Sequence, residues 1–185
     1  MRVSREQMQA NRLRILDCAG RLFREKGFEA VSVAEVMQAA GLTHGGFYGH
    51  FTSKDDLIAQ AVAHIFGAGP SGRGGLGAYL DAYLAPDHRD GVGEGCPTAA
   101  LVADVRRQTP AARAAMSEGF RSQIDRMEAA MGGAGALRRQ AVGAWAAMVG
   151  AIVLARATED QDLSAEILEL TRAWIGDKLA EEPTA

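Results

Sequence analysis

Apolar residues recur every three or four positions along most of the chain, a spacing that predicts helices. In residues 7–26 this apolar side consists of Ile15, Leu16, Ala19, Leu22 and Phe23. The same one-sided pattern predicts further helices over 54–66, 76–84, 97–105, 110–131, 136–157 and 164–179. Few segments alternate β-branched and polar residues as strands do, and proline is scarce, with five in 185 residues. The sequence therefore predicts an all-α fold.

The stretch from Ser32 to Lys54 has a more specific pattern of two short helices joined by a tight turn. Ser32 is a predicted helix cap, and Glu35 stands three residues later, as in a capping box. An apolar face follows, and Gly41 is placed where helices commonly end in the left-handed conformation.

Thr43 is the predicted cap of the second helix, which would run to about His50. Phe47 and Phe51 would form its buried side, and Ser53 would cap the helix that follows. A short helix with a polar face, held after a glycine turn, is typical of a helix-turn-helix, whose second helix enters the DNA major groove.

Charge is distributed unevenly along the chain. Its formal net charge is −3, but residues 1–26 hold seven Lys and Arg against three acids, whereas residues 67–185 hold twelve against sixteen. A basic end on a mildly acidic body fits a protein that contacts phosphates at one end. An amphipathic, solvated helix of mixed charge explains the same numbers, so charge alone leaves both interpretations open.

Other classes of protein receive little support. The two cysteines, Cys18 and Cys96, make no disulfide framework, and the N-terminus has no apolar signal region, so a cytoplasmic location is expected. The most apolar run, 141–155, is shorter than a membrane span and suits a buried or interfacial helix. No metal-ligand spacing, cofactor motif or catalytic set is present, so neither an enzyme nor a metal site nor a cofactor is expected.

Residues across this region resemble the signature of TetR-type transcriptional regulators. The resemblance rests on Gly41-Leu-Thr43, on the run from Phe47 to Phe51 and on the run from Lys54 to Leu57, with matching upstream positions. It covers about residues 7–66. It implies a DNA-binding domain over 1–66 and a helical domain over 67–185 that binds a small effector and dimerises through its last two helices.

The resemblance also implies particular DNA contacts. They are Thr43, His44 and Gly45 at the start of the second helix, Tyr48 and His50 at phosphates, and Lys54 beside the next helix N-terminus. Gly46 and Gly49 depart from the usual pattern and each weakens a helix by about 1 kcal/mol relative to alanine. The implied partner is a palindromic double-stranded operator, bound by a homodimer.

Cys96 is the candidate for chemistry in the second domain. It precedes Pro97 at a predicted helix N-terminus, a position that favours a thiolate, and Gly95 leaves it open. The segment Gly95-Cys-Pro resembles one in regulators that respond to electrophiles, so Cys96 is a possible sensor. The alternative is a pocket-lining or buried cysteine. Cys18, in the first helix, is expected to be a small apolar residue that is buried.

The effector itself is not identified by the sequence. Methionine and aromatic residues suit an adaptable apolar pocket, although at helical spacing they also form ordinary cores. The candidates are Tyr79, Tyr83, Leu101, Met116, Phe120, Ile124, Met127, Trp145 and Met148. The leading hypothesis is a repressor that an effector releases from DNA. Its alternatives are a thiol sensor through Cys96 and, in another class, a helical protein–protein adaptor.

Overall fold

The computed structural model describes residues 4–67, 75–133 and 137–181, and within these ranges it contains helices and no strands. The α-helices are α1 (Arg5–Ala30), α2 (Val33–Ala39), α3 (Lys54–Gly67), α4 (Gly75–Tyr83), α5 (Pro86–Asp90), α6 (Pro97–Val105), α7 (Pro110–Ala130), α8 (Arg138–Ala157) and α9 (Gln161–Glu181). A 3-10 helix, His44–Gly49, lies between α2 and α3. The predicted all-α class is confirmed.

The chain forms two compact units, and the first consists of Met1–Gly69 together with Ala100–Gly119. Its core is apolar and fully buried, with Ile15, Phe23, Phe28, Phe47 and Leu57 at its centre. Helices α1 and α3 approach closely at Gly20, where a Cβ atom would overlap Ile65 Cγ2. This packing provides a rigid support for the short helix between them.

Residues 100–119 contact the N-terminal helices, and Gln108 Nε2 donates to Glu29 Oε1 at 3.3 Å. A Cβ on Gly27 would lie 2.7 Å from Asp104 Oδ2, and Gly119 lies against the ring of Phe66, which leaves no room for a Cβ. The N-terminal unit is therefore larger than the segment 1–66. The functional division at residue 66 stays a prediction.

Two helix boundaries differ in detail from expectation. Gly27 breaks α1 with a φ of +79°, as predicted, but helical turns continue to Ala30. Phe28 packs back on Phe23 with ring centroids 5.2 Å apart, also as predicted. The sequence predicts a loop over residues 85–95, but this segment contains α5, which begins at Pro86, because proline suits a first helical turn.

The second unit consists of Pro70–Ala99 and Phe120–Ala185. Helices α8 and α9 pack against each other along their length. The fully buried side chains of the core are Met127, Met148, Ile152 and Ile175. Tyr79, Ile124 and Trp145, three of the predicted pocket residues, pack against this core.

The sequence also predicts that Ser164 caps the last helix, with Leu163 as a hydrophobic staple, and this predicted cap is wrong. Asp160 occupies that role, because its Oδ1 accepts hydrogen bonds from the amides of Asp162 and Leu163, each at 3.0 Å. Ser164 lies inside α9 instead, buried, and donates to the carbonyl of Ala155 at 2.8 Å. The predicted glycine-rich connection after Gly67 and the C-terminal tail lie outside the described residues.

Candidate nucleic-acid interface

The turn of the helix-turn-helix has the predicted geometry. Ser32 Oγ accepts from the Glu35 amide at 3.1 Å and caps α2. Gly41 takes a φ of +68°, and the amides of Leu42 and Gly41 bond to the carbonyls of Met37 and Gln38 at 2.9 and 3.0 Å. This pair of bonds is a Schellman motif, which requires a residue such as glycine at the left-handed position.

One half of the predicted capping box has a different partner. The Glu35 carboxylate accepts from Lys26 Nζ at 2.6 Å instead of from the Ser32 amide. The hydrogen bond from Lys26 lowers the pKa of Glu35. Lys26 is one of the basic residues of the N-terminal end, and the Glu35 carboxylate balances its charge locally.

The second helix is shorter and tighter than predicted. Residues 44–49 form a 3-10 helix, and Thr43 stands at its N-cap position as predicted, but the Thr43 side chain makes no capping hydrogen bond. The Thr43 carbonyl accepts from the Gly46 amide at 3.0 Å instead. The glycines at 45, 46 and 49 account for this geometry, because glycine is a weak former of regular α-helix.

The side chains of this short helix separate into an exposed and a buried set. Thr43, His44 and Gly45 are exposed at its first turn, and Tyr48 keeps 72% of its surface accessible. Phe47 and Phe51 are buried and stacked with centroids 5.6 Å apart, as predicted for core residues. The buried pair fixes which side of the helix faces outward.

His50 and Lys54 are half-buried, and both are engaged by neighbouring segments. Lys54 Nζ donates to the Glu29 carbonyl at 3.3 Å, which uses one of its three donors. Burial, followed by the nearby Arg12 charge, lowers the pKa of His50. A neutral imidazole at this position can still donate one N–H to a phosphate.

Arg12 is a functional candidate that the sequence analysis missed. Its Nη1 donates to the His50 carbonyl at 2.5 Å, and its Nη2 donates to Gln60 Oε1. Its guanidinium also lies 4.7 Å from the ring centroid of Phe51. Its spacing in the sequence could have indicated this role. Arg12 stands three and four residues before Ile15 and Leu16, so it lies on the apolar side of α1.

The hydrogen bonds of Arg12 continue into α3. Gln60 Nε2 donates to Asp56 Oδ1 at 2.6 Å, and Asp56 Oδ2 accepts from the Thr52 amide and hydroxyl at 2.9 and 3.1 Å. These hydrogen bonds lower the pKa of Asp56, and the bond from the Thr52 amide has the largest effect. We call this set, Arg12, His50, Thr52, Asp56 and Gln60, the Arg12 network. It joins α1, α3 and the end of the short helix.

The two cysteines occupy different environments. Cys18 lies half-buried on α1, and burial raises the pKa of its thiol, which suits the predicted apolar role. Cys96 precedes α6, as predicted, and its amide donates to His88 Nε2 at 3.0 Å. His88 Nδ1 donates in turn to the Tyr83 carbonyl at 2.6 Å, so both ring nitrogens of a neutral imidazole are used.

Arg156, on α8, completes the surroundings of Cys96. Its Nε and Nη2 donate to the carbonyls of Arg89 and His88 at 2.7 and 2.8 Å. Burial lowers the pKa of Arg156, while Tyr83 and Cys96 raise it. Burial also raises the pKa of Tyr83, and Cys96 raises it further. We call Tyr79, Tyr83, His88, Cys96, Thr98 and Arg156 the Arg156 cluster.

Comparison with known proteins agrees with the geometry of the N-terminal unit. Residues 15–61 match the model of the family described as bacterial regulatory proteins, tetR family. The regulator AcrR of Shigella flexneri is 41% identical over 59 residues, which are 32% of this chain and 27% of AcrR. The repressor Rv1474c of Mycobacterium tuberculosis is 35% identical over 92 residues, 48% of this chain and 49% of that protein. The chain thus matches half or less of the length of these relatives.

Solved structures resemble the chain over a larger share of its length. The reduced form of Escherichia coli NemR has a TM-score of 0.75 and 24% identity, covering 91% of this chain and 96% of that one. A TetR-family regulator from Agrobacterium tumefaciens has a TM-score of 0.74 and 22% identity, with coverages of 92% and 98%. At such identities the likeness establishes a shared fold.

Proposed function

Because the chain belongs to the tetR family of bacterial regulatory proteins, we propose that it is a cytoplasmic transcriptional repressor that binds DNA as a homodimer. The observation that carries this proposal is the exposed first turn of the 3-10 helix, held in place by a buried aromatic pair. In a helix-turn-helix, side chains at this turn reach base edges in the major groove.

Individual residues take different roles in this proposal. Thr43, His44 and Gly45 face bases, with Gly45 allowing close approach of the backbone, while Tyr48 and His50 donate to phosphates. Lys54 adds positive charge at the first turn of α3, where backbone amides already favour an anion. Support comes from the exposure of the first four of these residues and from the free donors that Lys54 retains.

Dimerisation is proposed through α8 and α9. These helices expose large apolar side chains, namely Val142, Val153, Leu154, Leu163, Leu170 and Trp174. Among the described helices, Arg138–Ala157 is long and apolar enough to cross a membrane, and 33% of that stretch is buried. We assign the remaining apolar surface to a second copy, because exposed apolar patches on soluble proteins commonly mark interfaces. Two recognition helices would then read half-sites about 34–36 Å apart.

An effector that binds the C-terminal unit is proposed to release DNA. It must bind the DNA-incompetent state more tightly than the competent one, because only differential affinity shifts the equilibrium. The effector is a small molecule, and modification of Cys96 by an electrophile is the alternative. The position of Cys96 at the start of α6, beside the cationic Arg156, supports that alternative.

Fluorescence anisotropy with DNA from immediately upstream of the gene tests the proposal. We expect tight binding relative to a scrambled duplex, and an affinity that falls by about 10³-fold or more between about 50 and 200 mM salt. An adaptor that docks a protein partner lacks this steep slope. Adding an electrophile distinguishes the two alternatives for the effector. If modification of Cys96 releases DNA, the electrophile should reduce DNA binding by the wild-type chain and not by Cys96→Ser.

A matched pair of histidine variants tests the assignment of the surface. His44→Ala removes a proposed base contact and is expected to weaken binding about tenfold or more. His64→Ala is the control, because His64 pairs with Asp17 at 2.6 Å in the last turn of α3 and is not a proposed contact. Equal affinity of the two variants would remove His44 from the interface.

The dimer surface has its own test. Trp174→Glu places a charge on the exposed apolar face of α9 and is expected to reduce the mass measured by light scattering from twice 19.6 kDa to 19.6 kDa. Leu13→Glu is the control, since Leu13 is an exposed apolar residue of α1 in the other unit. A dimer that survives the Trp174 change would place the interface elsewhere.

A further inference from the structure

The C-terminal unit contains buried polar atoms that make no hydrogen bond to any described residue. Three of them belong to the Arg156 cluster: the Tyr83 hydroxyl, the Thr98 hydroxyl and Arg156 Nη1. Tyr83 is 7% exposed and Thr98 is 3% exposed, so bulk water has little access to form hydrogen bonds with these groups. Buried polar groups are almost always paired, and each exception requires an explanation.

Two of these three groups lie close together. The Tyr83 hydroxyl lies close enough to the Cys96 thiol for a weak hydrogen bond to sulfur and within electrostatic reach of the Arg156 guanidinium, but it has no nitrogen or oxygen partner among the described residues. The Tyr83 and His88 ring centroids are 4.5 Å apart, and Arg156 Nη2 bonds to the His88 carbonyl. Thr98 follows Cys96 by two residues in the first turn of α6.

The unpaired atoms have one chemical character in common. Arg156 Nη1 only donates hydrogen bonds, and the two hydroxyls can each donate one. The Arg156 guanidinium bonds through Nε and Nη2 to the carbonyls of Arg89 and His88, and Asp90 is the carboxylate that raises its pKa. Asp90, the acid in its vicinity, bonds to the Arg89 side chain at 2.7 and 3.0 Å. The cluster therefore presents donors and one positive charge without an acceptor to match them.

We propose that the Arg156 cluster binds the carboxylate of a small organic acid. One carboxylate oxygen would accept from Arg156 Nη1 and the other from the Tyr83 hydroxyl, with the Thr98 hydroxyl as a further donor. A monoanion fits better than a phosphate, because one buried cation balances one charge and a second would stay uncompensated. The apolar body of the acid would pack on the rings of Tyr79 and Tyr83, which lie 5.9 Å apart.

This inference deepens the proposed function, because it specifies the chemical class of the effector. Binding can nevertheless be measured without DNA, by calorimetry and thermal unfolding of the full chain. The probes are benzoate and hexanoate, each compared with its uncharged amide, at up to about 10 mM, which saturates even a millimolar site. We expect the acids to raise the unfolding temperature and the amides to leave it unchanged.

Tyr83→Phe is the sharpest variant. It removes an unpaired hydroxyl and keeps the ring, so the ligand-free protein should become more stable while its affinity for the acid falls about tenfold. If the hydroxyl had a purely structural role, its removal would lower both the stability of the ligand-free protein and its affinity for the acid. Arg156→Gln should abolish binding, whereas Arg138→Gln, which removes an exposed arginine from the same helix, should leave it intact.

Three results would overturn the proposal: no response to either acid, equal binding of the amides, or unchanged affinity in Tyr83→Phe and Arg156→Gln. An acid that binds but leaves DNA affinity unchanged would preserve the site and contradict its regulatory use.

Discussion

The two polar clusters of this protein differ in how completely their hydrogen-bonding groups are paired. In the Arg12 network the Arg12 guanidinium, the Gln60 amide and both Asp56 oxygens have partners at hydrogen-bond distance. In the Arg156 cluster the Tyr83 hydroxyl, the Thr98 hydroxyl and Arg156 Nη1 have none among the described residues. These three atoms belong to the C-terminal unit.

The Arg12 network has its hydrogen bonds formed within the chain, whereas the Arg156 cluster has donors without partners among the described residues. A satisfied network fixes its members in one arrangement, so the short helix keeps the orientation that the proposed DNA contact requires. An unsatisfied cluster costs free energy in the empty protein and recovers it when a ligand supplies the acceptors. Variants in the first cluster should therefore destabilise the protein, whereas suitable variants in the second should stabilise it.

Arg12→Ala should have the largest effect. It removes hydrogen bonds to the His50 carbonyl and to Gln60, and the cation–π contact with Phe51. The expected loss is about 3 kcal/mol in the free energy of unfolding, measured by urea denaturation. DNA affinity should fall as well, because the end of the short helix loses its support.

Arg21→Ala is the control for the lost charge. Arg21 lies on the same helix and pairs with Glu25 on the surface at 3.3 Å, so its removal should change stability by no more than about 0.5 kcal/mol. If both variants are equally stable, the Arg12 network does not hold the helix in place.

Gly20→Ala should have the next largest effect. Its Cβ would overlap Ile65 Cγ2 at the contact of α1 with α3, the two helices that carry Arg12 and Gln60. Overpacking of this kind costs about 1–3 kcal/mol in the free energy of unfolding, measurable by urea denaturation. Gly45→Ala is the control, since no atom lies within 4 Å of a Cβ there, and a similar loss in that variant would contradict the steric explanation.

Two threonines compare the clusters directly. Thr98→Val removes an unpaired buried hydroxyl and should raise the free energy of unfolding by about 1 kcal/mol. Thr52→Val removes a hydroxyl that bonds to Asp56 at 3.1 Å and should lower it by about 0.5–1 kcal/mol. Urea denaturation without ligand measures both, and changes of the same sign would remove the distinction between the clusters.

Acidification should produce the smallest effect. Burial lowers the pKa of His88 below 6.5, so the unfolded chain binds more protons than the folded one near that pH. Stability should therefore be constant above about pH 7 and fall as the pH drops through 6.5 toward the folded pKa. Protonation of Nε2 would also break its bond from the Cys96 amide.

His88→Gln should flatten this pH profile in part, since burial and Arg12 also lower the pKa of His50. Urea midpoints at about pH 7.5 and 5.5 measure the effect, a range above the titration of most carboxylates. A variant with the slope of wild type would show that His88 does not carry it.

Local signals predicted much of the fold and of the candidate interface. Caps at Ser32 and Ser53, the left-handed Gly41 and the buried Phe47 and Phe51 depend on neighbours within five residues, which a sequence shows directly. Thr43 holds the predicted cap position without the side-chain hydrogen bond, because the glycines after it favour a tighter helix. The contact of the exposed residues with DNA stays a prediction.

Long-range pairing could not be predicted from spacing. Arg12 and Gln60 are 48 residues apart, and Arg156 and His88 are 68 apart, so no local pattern links them. The register of Arg12 on an apolar face indicated burial without indicating its partners. Unpaired atoms such as the Tyr83 hydroxyl are recognised only when all surrounding groups are known in space.

The contact of Phe66 with Gly119 has a consequence for synthesis of the chain. The N-terminal unit includes Ala100–Gly119, so its last packing surface leaves the ribosome some fifty residues after α3 is complete. Until then Phe66 lacks that partner. The N-terminal unit therefore finishes folding only after Pro70–Ala99 of the second unit has been translated, and a shortened chain that ends near residue 66 would carry an unfinished core.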